Sequence, residues 1–201
     1  MVCELAVEGS TRYPSVALRL PEGKVLSRRP AKTSQLVSST SELLESCGLV
    51  PAQLGLVHVT LGPGAYTSLR VSLAFVQGLA LSTGIRARAY DATEVLATTH
   101  VSGGAQGRFW IWNDARAGMI LLRPYEVEAG RARPLGVTQC LPLAQAQDVV
   151  PASAVLVGSG PGATALLPEA SALFVLADHG GGEDREALGL LPVYVREGVG
   201  R

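Results

Sequence analysis

The stretch Leu61 to Arg70, LGPGAYTSLR, sets two glycines and a proline between an apolar strand-like run and a helix-forming run. Such a bend gathers backbone N–H groups at a helix N-terminus, where they can face an anion. The Lys and Ser/Thr of G-x-x-x-x-G-K-[ST] are missing, so the bend supplies neither a point charge nor a Mg²⁺ ligand. A tight strand-to-helix turn capped by Thr67 or Ser68 is the plainer reading. A second glycine-rich turn, Gly158-Ser159-Gly160-Pro161-Gly162-Ala163, fits G-x-G-x-x-A, with Asp178 at the distance of a ribose contact. Pro161 and Pro168 shorten the helix that a pyrophosphate would need, which leaves a turn over an adenine-sized cleft as the expectation. Glu8, Asp91 and Asp114 are the carboxylates placed at strand ends or turns, where a phosphotransferase would hold Mg²⁺, although turn carboxylates usually bond their own backbone. Ser10, Gly158 and Gly160 complete the candidate nucleotide set with Glu8 and Asp114. His58, His100 and His179 stand apart, with no pair spaced to share a helix face. No G-x-S-x-G elbow occurs, so a peptidase has no nucleophile and base to work with.

The elements that would carry these residues follow from periodicity. Cys3–Glu8, Ser15–Leu20 and Lys24–Arg28 read as three strands separated by turn-formers. From Ser34, a candidate N-cap, Leu36, Thr40, Leu43, Leu44 and Cys47 share a helical face that ends at Gly48. Leu56–Leu61 is a strand and Thr67–Leu81 a helix, followed by a strand at Arg86–Tyr90 and a short helix opened by Asp91 with Glu94. In the helix Thr67–Leu81, Leu69, Leu73, Val76 and Ala80 form one apolar stripe. Val71, Ala74, Phe75, Gly78 and Leu79 form another, leaving Arg70 and Gln77 on a narrow polar edge. A helix that is apolar on two sides needs two neighbours, one of them a sheet and the other a helix of this chain or of a partner.

Ser102–Gly107, with its glycines, reads as a boundary between a lobe over residues 1–101 and a lobe over 102–201. The second half reopens with a strand pair, Phe109–Asn113 and Met119–Tyr125, joined by Asp114–Gly118. This echoes the opening hairpin and points to an internal duplication. Two hairpin-led lobes predict an α/β protein with a duplicated mixed-sheet core: the two-lobed actin-like (ASKHA, ribonuclease H-like) fold shared by actin, Hsp70 and sugar kinases.

Composition narrows the function. The chain has 201 residues, 47% of them hydrophobic, which is ample for a core and unlike a disordered segment. The 17 basic and 17 acidic residues give zero formal charge, against the surplus that an autonomous nucleic-acid binder needs. Arg28, Arg29, Arg86, Arg88, Arg131 and Arg133 offer a modest basic surface, though strand arginines are more often solvated or paired. Three widely spaced cysteines suit a reduced, cytoplasmic setting and not a zinc site. The strand-like start and the lack of a long apolar run point away from secretion and membrane insertion.

The segment GPGAYTSLRVSLAFVQGLAL resembles the GPGSFTGLRVG…KGLA segment of the TsaB (YeaZ) family of the bacterial tRNA threonylcarbamoyladenosine (t6A) pathway. STRYPSVAL, WNDARAGMI, LVGSG and the terminal LPVYVR are similar to further pieces of that family, so the likeness spans nearly the whole chain. The resemblance implies a non-catalytic member of the actin-like fold. Such a protein forms a homodimer when alone, or pairs with a TsaD-like catalytic subunit, in an assembly that includes the ATPase TsaE and reaches tRNA only as a complex. It also implies that Gly62, Gly64, Thr67, Leu69, Arg70, Val71 and the neighbouring Leu73, Ala74, Phe75 and Gly78 lie at the partner interface. Any ATP or ADP and Mg²⁺ would then belong at that interface. The chain departs from the family where Glu8-Gly9-Ser10 replaces Asp-Thr-Ser, where Ser68 and Ser72 replace glycines, and where Gln77 replaces Lys. The competing reading is an independent ATP/Mg-dependent phosphotransferase using Glu8 and Asp114.

Overall fold

The computed structural model describes residues 2–195 and the backbone of residues 198–199. Its contacts divide the chain into two compact units, Met1–Val95 with Pro168–Val193, and Leu96–Leu167 with Tyr194–Arg201. This differs from an even split near residue 101, because the last part of the chain returns to the first unit.

The first unit is built on β1 (Cys3–Glu8), β2 (Ser15–Arg19), β3 (Val25–Arg28), α1 (Leu36–Ser46), β4 (Leu54–Gly62), α2 (Tyr66–Thr83) and β5 (Arg86–Asp91). α3 (Ala92–Ser102) leads out of it. The second unit holds β6 (Arg108–Asp114), β7 (Met119–Glu128), β8 (Arg131–Pro134), β9 (Gln139–Pro142), α4 (Leu143–Val149), β10 (Val155–Gly158) and β11 (Thr164–Ala165). α5 (Ser171–Asp178) and β12 (Glu183–Arg185) rejoin the first unit, and β13 (Gly198–Val199) closes the second sheet.

The first sheet runs β12-β5-β4-β1-β2-β3 and the second β11-β10-β6-β7-β9-β13, with β8 on β7. In the first, β1 is parallel to β4 and antiparallel to β2, β4 is parallel to β5, and β2 is antiparallel to β3. In the second, β6 is parallel to β10 and antiparallel to β7, β10 is parallel to β11, and β7 is antiparallel to β9. Five strands thus repeat one pattern of neighbours and directions, and the duplication expected from the two hairpins is present in the topology.

Alternation along β1 assigns its two faces. Cys3, Leu5 and Val7, with Val16, Leu18, Val57, Val59, Ala87 and Ala89, face α1 and α2, which contribute Leu36, Leu43, Leu44, Leu73, Val76 and Leu79 to one apolar cluster. The opposite face carries Glu4, Ala6 and Glu8 and lies under α5, whose Leu173 and Phe174 pack on Ala6, Ala17 and Tyr90. Neither return of α5 nor β12 pairing with β5 leaves a periodicity signal, because both are contacts across about half the chain or more. In the second unit, Phe109, Ile111, Tyr125 and Val157 form one cluster, and Trp112, Ile120, Leu122 and Ala146 another.

Candidate functional site

α2 is longer than its apolar pattern suggests, starting at Tyr66 and ending where Gly84, at φ 71°, returns its N–H to the carbonyl of Ala80. Its stripes separate cleanly. Leu69, Ser72, Leu73, Val76, Leu79 and Ala80 are buried, whereas Tyr66, Thr67, Arg70, Val71, Ala74, Gly78 and Leu81 are exposed. Leu69 and Leu73, which the resemblance assigns to a partner, lie in the core of their own unit at 0% and 2% exposure. Phe75 is half-buried against that core. Val71, Ala74, Gly78 and Leu81 form the exposed apolar band of the helix, with Leu81 76% exposed, and the expected interface residues Thr67 and Arg70 are exposed as well. Two residues that the sequence did not mark, Leu188 and Leu191, are also exposed. They stand beside the helix because the amide of Gln77 donates to the carbonyls of Leu188 and Leu190 at 3.3 and 3.0 Å.

The Gly-Pro-Gly bend holds this helix in place against the turn after β1. A Cβ at residue 64 would fall 2.8 Å from the backbone carbon of Ser10, and one at residue 62 would strike the carbonyl of Val193. Gly62 also has φ 122°, a conformation that a side chain opposes. Ala65 N–H donates to the Ser10 carbonyl at 2.7 Å, and Val193 N–H to that of Leu61 at 2.8 Å. The expected capping by Thr67 or Ser68 is not formed. Ala65 occupies the N-cap position without a side-chain bond, and Ser68 Oγ sits 3.3 Å from Thr33 Oγ1. One turn further on, Gly9 and Ser72 touch: a Cβ at residue 9 would lie 2.5 Å from the Ser72 Cβ. The two departures from the family pattern at these positions are therefore complementary, since the residue without a side chain faces the one that has gained it.

Glu8 is fully buried, so its carboxyl offers no ligand atom to a cation in solvent. Oε1 accepts the Ser10 N–H at 2.8 Å, while Oε2 is buried without a hydrogen-bond partner. Burial pushes its pKa up to about 7 against the opposing effects of the Ser10 bonds and the Arg29 charge. Nearby on the same sheet face, His58 is buried and pushed down to about 4 by desolvation, with Glu4 opposing. The neutral ring has an assignable tautomer: Nε2–H donates to Glu4 Oε2 at 3.3 Å, and Nδ1 accepts from the Tyr90 hydroxyl at 2.7 Å. Glu4 also accepts from Arg19 at 2.9 Å, and Arg19 bonds Asp178 at 2.6 Å. Asp178, the candidate ribose ligand, is thus an anchor of α5.

In the second unit, the glycine-rich turn folds on β6. Gly160 N–H donates to the Trp112 carbonyl at 2.9 Å and Ser159 N–H to Asn113 Oδ1 at 3.0 Å, so two of the turn's donors are engaged by β6. A Cβ at Gly160 would meet the Trp112 ring at 2.5 Å. The next residues form β11 instead of the helix that a dinucleotide turn opens. Asp114 is exposed and accepts the Arg116 N–H at 2.8 Å, closing its own turn. Asp91 likewise accepts Thr93 N–H at 2.7 Å and caps α3. Among the described residues no group of three or more His, Cys, Asp or Glu could hold a metal ion, and no helix is long and apolar enough to cross a membrane.

A duplicated mixed-sheet core with hairpin-led halves defines a two-lobed α/β protein of the actin-like class. Residues 29–149 match the family described as TsaD: tRNA N6-adenosine threonylcarbamoyltransferase. The TsaB tRNA threonylcarbamoyladenosine biosynthesis protein of Bacillus subtilis is 32% identical over 90 residues, which are 44% of this chain and 38% of that protein's length. Two solved structures align along nearly the whole chain. YeaZ from Pseudomonas aeruginosa has a TM-score of 0.82 at 27% identity, covering 97% of this chain and 100% of that one. A protein described by its similarity to peptidase YeaZ from Pseudomonas aeruginosa also has a TM-score of 0.82, at 29% identity, covering 98% and 100%. The chain belongs to this family and, within it, to the TsaB (YeaZ) group.

Proposed function

We propose that this chain is a non-catalytic scaffold subunit in bacterial tRNA N6-threonylcarbamoyladenosine (t6A37) modification. Alone it forms a homodimer. In the working assembly it docks a TsaD-like catalytic subunit and supports a TsaE-like ATPase in the cytoplasm, with any ATP or ADP and Mg²⁺ held at a partner interface. Involvement in t6A biosynthesis rests on membership of the TsaB group. The scaffold role rests on the exposed band Val71, Ala74, Gly78 and Leu81 of α2. Its small residues admit a close helix neighbour, and its flanking Val and Leu supply apolar area that water would otherwise cover. The buried Glu8 and the self-bonded Asp114 favour this reading over an independent phosphotransferase.

The test is co-purification with a TsaD-type subunit, with light scattering of the isolated chain alongside. Val71→Asp and Leu81→Asp are expected to weaken association about 30-fold or more, the effect of losing an interface hot spot of about 2 kcal/mol. Both variants should remain folded, with the far-UV circular dichroism spectrum of the wild type, and lose only the stability that association adds. Unchanged association in both variants, or a monomer that retains no TsaD-type subunit, would overturn the proposal.

A further inference from the structure

We infer that the first unit carries its own contact surface for single-stranded RNA, built from Arg12, Tyr13, Lys32, Tyr66 and Arg70. The topology gathers these residues. β1, β3, β4 and β5 all run in one direction, so the segments leaving β1, β3 and β4 emerge at the same edge of the sheet. That edge, beyond the carboxyl ends of parallel strands, is where open α/β sheets usually bind ligands. The turn after β1 carries Arg12 and Tyr13, the segment after β3 carries Lys32, and the bend after β4 leads to Tyr66 and Arg70. Direct contacts tie the three segments together. Ala65 N–H reaches the Ser10 carbonyl at 2.7 Å, Arg29 reaches the Tyr13 carbonyl at 2.6 Å, and Thr33 Oγ1 lies 3.3 Å from Ser68 Oγ.

Pairing makes this edge electropositive in a chain of zero formal charge. Arg19, Arg28, Arg29, Arg88, Arg108, Arg133 and Arg185 each have a carboxylate partner. The exposed Arg12, Lys32 and Arg70 have none among the described residues. Of the acids at this edge, Glu8 is buried, Asp91 is engaged with the start of α3 and Glu169 with Arg29. Two of the unpaired cations lie over aromatic faces, Arg12 at 4.7 Å from the Tyr13 ring centre and Arg70 at 5.0 Å from that of Tyr66. Tyr13 and Tyr66 are 38% and 57% exposed. Cations without carboxylates meet phosphates, and exposed planar rings with guanidinium groups meet unstacked bases. An acidic polypeptide would use the cations and leave the rings idle. The surface abuts the docking face of α2 at Arg70, but its residues on the β1 and β3 segments lie off that helix, so the two proposals can fail separately.

The probe is a fluorescein-labelled 12-nucleotide single-stranded oligouridine, titrated by anisotropy with the purified chain between 50 and 200 mM salt. Saturable binding is expected, with log K falling against log salt at a slope near −2, about 0.7 for each of three neutralised phosphates. Arg12→Ala with Lys32→Ala should flatten that slope to about −0.7. Tyr13→Ala should weaken binding at least about 5-fold and Tyr13→Phe should restore it, because only the ring stacks. Circular dichroism and melting temperature establish that each variant is folded. Absence of binding at 50 mM salt, or binding that these variants leave unchanged, overturns the inference. Polyglutamate or Mg-ATP bound with the same dependence on Arg12 and Lys32, in place of the oligonucleotide, overturns it too. Association with a TsaD-type subunit should be intact in Tyr13→Ala, and its loss in Leu81→Asp should leave oligouridine binding unchanged.

Discussion

Replacing Gly9 with Ala tests how the first hairpin is locked to α2. The new Cβ would stand 2.5 Å from the Cβ of Ser72 and 3.5 Å from the carbonyl of Ser68, so the first contact is about 1 Å short of van der Waals separation. Neither partner can swing aside, because both colliding carbons are fixed to backbone. The helix and the strand end must part, and overpacking of this kind costs about 1–3 kcal/mol. For a chain of this size each kcal/mol lowers the melting temperature by roughly 2–4 °C. The second site distinguishes the cause. Ser72→Ala removes a hydroxyl that is buried without a partner, so on its own it should be neutral or stabilising; it also removes the oxygen that would lie nearest the new Cβ but keeps the Ser72 Cβ at 2.5 Å, so it should relieve Gly9→Ala only in part. Ser72→Gly removes that carbon at a helix-propensity cost of about 1 kcal/mol and should make Gly9→Ala nearly harmless. Chemical denaturation of the two single-site Ser72 variants, Gly9→Ala and both double variants gives the coupling energies directly. Equal rescue by Ser72→Ala and Ser72→Gly, or a neutral Gly9→Ala, would refute the steric argument.

Leu73→Asp, at a position 2% exposed, should unfold the first unit or lower its stability by several kcal/mol, while Leu81→Asp, at 76% exposure, should leave the monomer folded and lose only the stability that association adds; circular dichroism, thermal melts and light scattering separate the two. Gly64→Ala should destabilise by about 2 kcal/mol or more, since its Cβ would meet the Ser10 backbone and not a movable side chain. Glu8 is raised from 4.5 to about 7, so the folded state holds its proton more tightly than the unfolded state. Its contribution is complete below about pH 4.5 and is lost as pH rises to about 7, a fall of about 3 kcal/mol that Glu8→Gln should abolish in denaturation midpoints compared at pH 5 and pH 8. His58, lowered from 6.5 to about 4, acts in the opposite sense, losing stability as pH falls below about 6.5. The difference between wild type and Glu8→Gln is therefore the informative quantity, and a pH-independent difference would contradict the buried carboxyl.

Local pattern carried the fold a long way. The alternation in CELAVE and the helical spacing of Leu36, Thr40, Leu43 and Leu44 mark elements that the structure places within a residue or two. Both follow from burying one face of a strand or helix, which the residue order records. The repeated hairpin was legible for the same reason, and the shared strand order of the two sheets bears it out. Pattern also showed that α2 is apolar on two sides. Which side is covered depends on the sheet beneath it, so Leu69 and Leu73 could not be told apart from Val71 and Ala74 by spacing alone.

The basic surface shows the limit most clearly. Counting arginines pointed to Arg28, Arg29, Arg86, Arg88, Arg131 and Arg133; of these, Arg28, Arg29, Arg88 and Arg133 are paired with acids, Arg29 with a residue far along the chain. Arg12, Lys32 and Arg70 are left without carboxylates by the same distribution, and no local signal distinguishes them. Sequence order encodes what a segment must bury, because that depends on its own period. Which charges remain unmatched, and whether a carboxyl such as Glu8 faces solvent or core, depends on which distant segment arrives beside it. Only the folded chain, with Pro168–Val193 returned to the first unit, decides that.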